Sequence, residues 1–310
     1  MSSSTIVSIQ SDLTLYGYSI TMIFGNIGNI FVVIILSRQR ENACSIYLLS
    51  AAVVNIIYLT FYGFIQIFPV NYRNVTTTAF VLCKIYLYIA GILGQLAKTL
   101  LVLASIDRFL VTNRHVLVRR YSTPKRAKYL VFFGFIFWLL LSIHLPIMTT
   151  IVNGQCTGVG IYVTIRAIYV IIFVGLFPII TLSIFGFLTY RNMKQLHNRI
   201  RPTANNADTP MHRRDRDLLK LVISETVVYL ITAGPYPLMF LETMISLYAV
   251  QNKSIQYSQI EVFMLNIVSF ILFINSAAPF YTYIIASKSF RRDFTRIIIN
   301  GYRKITRRLV

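Results

Sequence analysis

Residues 79–112 read AFVLCKIYLYIAGILGQLAKTLLVLASIDRFLVT, thirty-four residues in which only Lys84, Lys98, Asp107 and Arg108 are charged. A helix needs roughly 20 mostly apolar residues to cross the hydrocarbon core of a bilayer, so this stretch spans one with length to spare. Six more stretches qualify, at about 14–37, 45–68, 127–150, 161–190, 217–249 and 260–286. Lipid offers backbone groups no hydrogen-bond partner, and no strand-like alternation is present, so all seven are read as helices. Hydrophobic residues make up 56% of the 310 and charged residues 13%, a balance that no water-facing globular surface sustains. The expected fold is all-α: a seven-transmembrane helix bundle over 14–286, a tail at 1–13, and a short amphipathic eighth helix with a further tail at 287–310.

Charge placement sets the expected orientation. Arg73, Lys84, Arg166 and Lys253 fall near one set of loops or helix ends, and Lys98 lies inside a span. The other 25 of the 30 basic residues fall on the opposite side, from Arg38 and Arg40, through Arg108–Lys128 and Arg191–Lys220, to Lys288–Arg308. Short loops rich in Lys and Arg stay in the cytoplasm. The amino terminus is therefore expected outside and the carboxyl terminus inside. The net charge of +20 then reflects topology and attraction to anionic lipid, which removes the case for a nucleic-acid partner. The first 37 residues hold no Lys or Arg, so the first span lacks the basic region of a signal peptide and is read as retained. The sequons at Asn74 and Asn252 fall in expected outer loops. Cys83 and Cys156 also face that oxidising side, which suits a disulfide. Cys44 faces the cytoplasm as a free thiol.

The long inner loop, about 191–216, holds Pro202, Asn205, Asn206, Asp208 and Pro210 among basic residues and reads as irregular. After the last span, Ser287 can cap a helix with Phe290, Phe294, Ile297 and Ile298 on one face and Arg291, Arg292 and Arg296 on the others, a pattern suited to the leaflet surface.

Taken together these residues resemble the rhodopsin-like family of G-protein-coupled receptors over essentially the whole chain. Asp107-Arg108-Phe109 resembles the family's Asp-Arg-Tyr motif, and Cys83 stands 25 residues before Arg108, the family's spacing. Gly28-Asn29 resembles its Gly-Asn pair, with Gly25-Asn26 as a competing register. Trp138 sits in the fourth span. Pro178, Pro235 or Pro237, and Pro279 match the prolines of the last three spans, and Phe290-Arg291 the start of the eighth helix. The resemblance implies a plasma-membrane receptor, not an enzyme and without a cofactor, that binds an extracellular ligand among its helices and activates a heterotrimeric G protein.

The chain also departs from that pattern. Asn55 stands where the family usually has an Asp that helps bind sodium. The sixth span, Thr232-Ala233-Gly234-Pro235-Tyr236-Pro237, lacks the usual Trp before proline. In the seventh span Ala278 replaces an Asn, and Tyr281 or Tyr283 must serve for the tyrosine after Pro279.

Charged groups inside a bilayer are costly, about 2.5–3.5 kcal/mol or more each, and so are functional candidates. Asp215 and Asp217 can reach Arg108 and latch the third and sixth helices, or can merely offset the neighbouring arginines of a solvated loop. Lys98 lies ten residues before Arg108, and Glu225 ten beyond Asp215 on a helix running the other way, so both sit at similar depth. They are expected to pair; alternatively Lys98 snorkels to water and Glu225 is protonated or bonded to the backbone. Gln95, Arg166, Tyr236, Glu242 and Tyr248 are expected to line a ligand cavity, unless Glu242 and Arg166 are simply solvated helix ends. Ala90 replaces the Asp of amine receptors, which leaves a peptide or a small organic ligand, the resemblance to peptide receptors favouring the peptide.

An opsin would need a lysine between Val262 and Ser287, and there is none. His144 is the only histidine within a span and has no companion at metal-ligand spacing. The remaining rival is a transporter or channel in which Lys98, Glu225 and Asn55 line a polar path, although neither inverted repeats nor paired broken helices are evident.

Overall fold

The computed structural model describes residues 3–39, 42–68, 77–152, 155–200, 210–250 and 253–309. Among these are seven helices long and apolar enough to cross a membrane: α1 (Thr5–Gln39), α2 (Ala43–Ile67), α3 (Ala79–Thr112), α4 (Pro124–Met148), α5 (Ile161–Gln195), α6 (Arg216–Ala249) and α7 (Ile255–Ala277). After a break at Ala278, α7 continues as Pro279–Ala286, and α8 (Lys288–Leu309) follows. Between α4 and α5 a hairpin pairs β1 (Thr149–Val152) with β2 (Gln155–Gly158), antiparallel, with Ile151 opposite Cys156.

Local sequence explains where several helices begin. Asn42 caps α2 by accepting from the Cys44 amide at 3.0 Å. Thr123 caps α4 from the Arg126 amide at 3.3 Å, with Pro124 in the first turn, where its missing N–H costs nothing. Ser254 and Ser287 do the same for α7 and α8. Residues Ser3–Asp12 are helical and run unbroken into the span through Leu13–Gly17, since no proline or glycine intervenes before Gly17.

Large apolar side chains such as Phe132, Phe187 and Ile231 are 64–69% exposed on the outside of the bundle. An exterior of that kind is solvated by lipid. Inside, α3 is central and packs against α2, α4, α5 and α6, and Val32, Leu48, Leu100, Leu182 and Val222 share one core. Because lipid is as apolar as the core, helices join through close packing and polar bonds. At Gly25 an added Cβ would lie 2.6 Å from the Ala277 Cβ, and at Gly28 2.8 Å from that of Phe280. Glycine there lets α1 lie directly on α7. Asn29 then reaches across, its Nδ2 donating to the carbonyls of Gly25 at 2.8 Å and Ser276 at 3.0 Å. Of the two competing pairs, Asn29 is fully buried and Asn26 is not.

Two further bonds lock the centre. Trp138 Nε1 donates to Thr99 Oγ1 at 2.8 Å, tying α4 to α3. In α5 the helix widens over Val170–Leu176 ahead of Pro178. Proline cannot donate to the carbonyl four residues back, and the Tyr229 hydroxyl of α6 donates to that Val174 oxygen at 2.9 Å. On α8, Phe290 is buried and Phe294 packs on Phe31 and Phe280, with ring centres 5.0 and 5.2 Å apart. Ile297 packs on the same core. Ile298, expected on that face, is 48% exposed, because it falls at the edge of the stripe, about 80° around the helix from Phe290.

Candidate functional site

At one end of α3, Cys83 and Cys156 form a disulfide with Cα atoms 5.7 Å apart. It ties the β-hairpin down over the bundle. Beneath it lies a cavity of about 290 Å³, walled by tyrosines 58, 62, 86, 169 and 236. Tyr58 and Tyr62 stack with ring centres 5.3 Å apart, and the Tyr86 hydroxyl accepts from Gln66 Nε2 at 2.9 Å. Gln95 and Asn266 add polar groups, Arg166 and Lys98 add positive charge, and Cys156 itself reaches the wall.

Of the five residues expected to line a ligand cavity, the structure brings three together: Gln95, Arg166 and Tyr236. Glu242 and Tyr248 lie elsewhere. Glu242 faces a shallow groove shared with Tyr257, whose hydroxyl donates to it at 2.6 Å. Tyr248 is exposed and bonds Thr164 at 2.7 Å. Six and twelve residues beyond Tyr236, Glu242 and Tyr248 point about 120° away from it on either side.

Below the pocket is a cavity of about 20 Å³ among Asn55, Lys98, Glu225, Tyr229, Asn275 and Ser276. That is room for about one water molecule. Lys98 lines both spaces. The expected ion pair between Lys98 and Glu225 is not formed, since no ammonium oxygen approach within 4.0 Å links them. Glu225 instead accepts from the Tyr283 hydroxyl. A donor fixed on a neighbouring helix satisfies the carboxylate without ordering a flexible lysine. Asn275 Nδ2 donates to Thr232 Oγ1 at 2.8 Å nearby, so α6 and α7 share two polar bonds. Tyr283 is the buried tyrosine after Pro279 (itself buried), whereas Tyr281 is 41% exposed and donates to the Phe24 carbonyl at 3.1 Å.

At the other end of α3, Arg108 is fully enclosed. It donates to Asp107 Oδ2 at 2.7 Å and to Asn42 Oδ1 at 2.9 Å. The second Asp107 oxygen accepts from Ser122 Oγ at 2.6 Å. Phe109 packs edge-on against Phe185 of α5 at 5.4 Å. The expected latch from Asp217 is absent. Asp217 faces Lys220, one turn along its own helix at 3.8 Å. The Asp215 side chain lies outside the described residues, as do Asn74 and Asn252. Asn42 and Ser122 are absent from the sequence-based site; a capping Asn before an apolar run was the legible signal for the first, and nothing local marks the second. Arg108 also borders a cavity of about 220 Å³ between α3, α5 and α6, lined mainly by apolar groups such as Leu219 and Val222.

No group of three metal-ligating side chains exists among the described residues. His144 Nδ1 bonds the Tyr162 hydroxyl at 2.8 Å and braces α4 against α5.

Among curated proteins the chain is similar to "Probable G-protein coupled receptor 34" of Mus musculus, 28% identical over 114 residues, and to the protein of the same name in Pan troglodytes, 27% identical over 114. Each match covers 36% of this chain and 30% of the relative, so the chain spans less than a third of the length of the curated relatives it matches. Residues 28–279 match the family profile described as 7 transmembrane receptor (rhodopsin family). With that match running from the α1–α7 contact at Gly28 to the kink at Pro279, the chain belongs to the rhodopsin-like family of seven-transmembrane receptors.

Proposed function

We propose that this protein is a plasma-membrane receptor that takes an extracellular ligand in the pocket beneath the disulfide and activates a heterotrimeric G protein at the Arg108 end. The observation that carries the reading is Arg108: a buried guanidinium, clamped by Asp107 and Asn42, bordering a loosely filled space between α3, α5 and α6. Outward movement of α6 there would open that space to a partner and free Arg108 to meet it. The names of the relatives, both "Probable G-protein coupled receptor 34", support the same partner. The basic loops support a cytoplasmic position for this end. A pocket of about 290 Å³ is at the low end of small-molecule sites, which favours a small organic ligand over a peptide.

The test is Arg108→Ala in cells expressing a panel of G proteins. Surface display, read from an amino-terminal tag on intact cells, should persist while guanine-nucleotide exchange falls to background. Undiminished exchange would sink the coupling role, and a tag reached only after permeabilisation would invert the topology. In the transporter reading Lys98 joins the pocket to the central cavity, but that cavity and the one beside Arg108 share no lining residue. Charge movement in liposomes tests it directly.

A further inference from the structure

The charges around the pocket are one-sided. Its walls carry two cations, Lys98 and Arg166, and no Asp or Glu. Neither cation has a hydrogen bond or ion pair among the described residues; Arg166 lies over the Phe240 ring at 5.8 Å. Acids elsewhere in that half of the molecule are engaged or, like Asp12 at the start of the first span, exposed on the surface. Glu261 holds Lys253 at 2.9 Å and Glu242 holds Tyr257 at 2.6 Å. Residues 69–76, 153–154 and 251–252, which lie outside the description, contain no Asp or Glu in their sequence, so they bring no carboxylate to the pocket. The carboxylate at similar depth, Glu225, lines the central cavity and takes the Tyr283 hydroxyl. A lysine inside a membrane span is costly to leave unmatched, and no described residue supplies a match.

Resting on the receptor reading above, we propose that the pocket is selective for a small organic anion with an aromatic or aliphatic body, its acid group seated on the Lys98 ammonium and drawn in past Arg166. The tyrosine walls fit the apolar body. Gln95 and Asn266 remain to orient the head group. Lys98 stands fifteen residues inward of Cys83, about 22 Å along α3, so the acid group travels to the bottom of the pocket. There it competes with the central cavity for the same ammonium, which links occupancy to the Glu225–Tyr283 and Asn275–Thr232 bonds between α6 and α7.

The full-length chain in lipid nanodiscs, without G protein, is titrated with four series of phenylalkyl probes: carboxylates, phosphate monoesters, primary amides and ammonium ions. Saturable binding is expected for the carboxylates, the phosphates or both, at least tenfold tighter than for matched amides and ammonium ions; the ratio of the two anion series identifies which acid the seat prefers. Lys98→Met should weaken anion binding at least tenfold. Arg166→Gln should slow association and flatten its salt dependence, and Arg166→Lys should restore both, which a merely misfolded variant would not do. Equal binding of amides, preference for ammonium ions, no anion binding at millimolar concentration, or native affinity in folded Lys98→Met would each overturn the proposal. Binding without exchange by any G protein would instead remove the receptor reading and leave the anion site standing; exchange with no anion selectivity would do the reverse.

Discussion

Two cations stand ten residues apart on α3, and the protein treats them in opposite ways. Arg108 is enclosed by groups placed to receive it, with Asp107 at 2.7 Å, Asn42 at 2.9 Å, and Asp107 itself steadied by Ser122. Lys98 borders two cavities with no bond to any described residue. A guanidinium that the fold surrounds with acceptors belongs to the fold's own machinery until something displaces them. An ammonium left facing open space marks where the missing partner comes from outside the chain. The same helix thus ends in a site that described residues complete and passes through one that they leave without an acceptor.

The filled site is where the largest effect on stability is expected. Asp107→Ala removes the carboxylate from a buried charge pair, a change that costs about 3–5 kcal/mol when one partner is lost. The thermal midpoint of the solubilised chain should fall accordingly, and ligand-independent nucleotide exchange should rise because Arg108 is less firmly held. A midpoint within experimental scatter of the native value would mean that Arg108 is not clamped by Asp107, and the contrast with Lys98 would lose its first half.

A smaller effect is expected between the two, at the bond from Tyr283 to Glu225. Tyr283→Phe keeps the ring but leaves a buried acceptor without its donor, at a cost of about 1–3 kcal/mol. Glu225→Gln in the same chain should recover part of the loss, because an amide is cheaper than a carboxylate to leave short of a partner. Strictly additive losses in that double-mutant cycle would show the two residues to be independent.

How these sites divide also explains what the sequence revealed. The seven spans were legible because lipid enforces long apolar runs, and the 25-residue interval from Cys83 to Arg108 marked the two ends of α3. Depth was legible too, since rise per residue is constant in a helix. Direction around the helix was not, because it depends on how each helix is rotated against its neighbours. Glu242 and Tyr248 were assigned to the pocket by depth and point away from it. Lys98 and Glu225 were placed level with each other, and a tyrosine from α7 holds Glu225. Asn42 escaped notice because its dual service, to the α2 cap and to Arg108, arises only once α2 and α3 are packed.

The smallest expected effect on stability is the most informative about Lys98. Methionine has nearly the volume of the lysine stem and no charge to desolvate. If Lys98 has no protein partner, Lys98→Met removes an unmatched cation from inside a span and loses no bond, so the midpoint should stay level or rise. That is the reverse of Asp107→Ala on the same helix, although both changes delete one charge. A drop approaching the Asp107→Ala value would mean that the ammonium already has a partner within the chain. The pocket would then need no anion from outside to complete it.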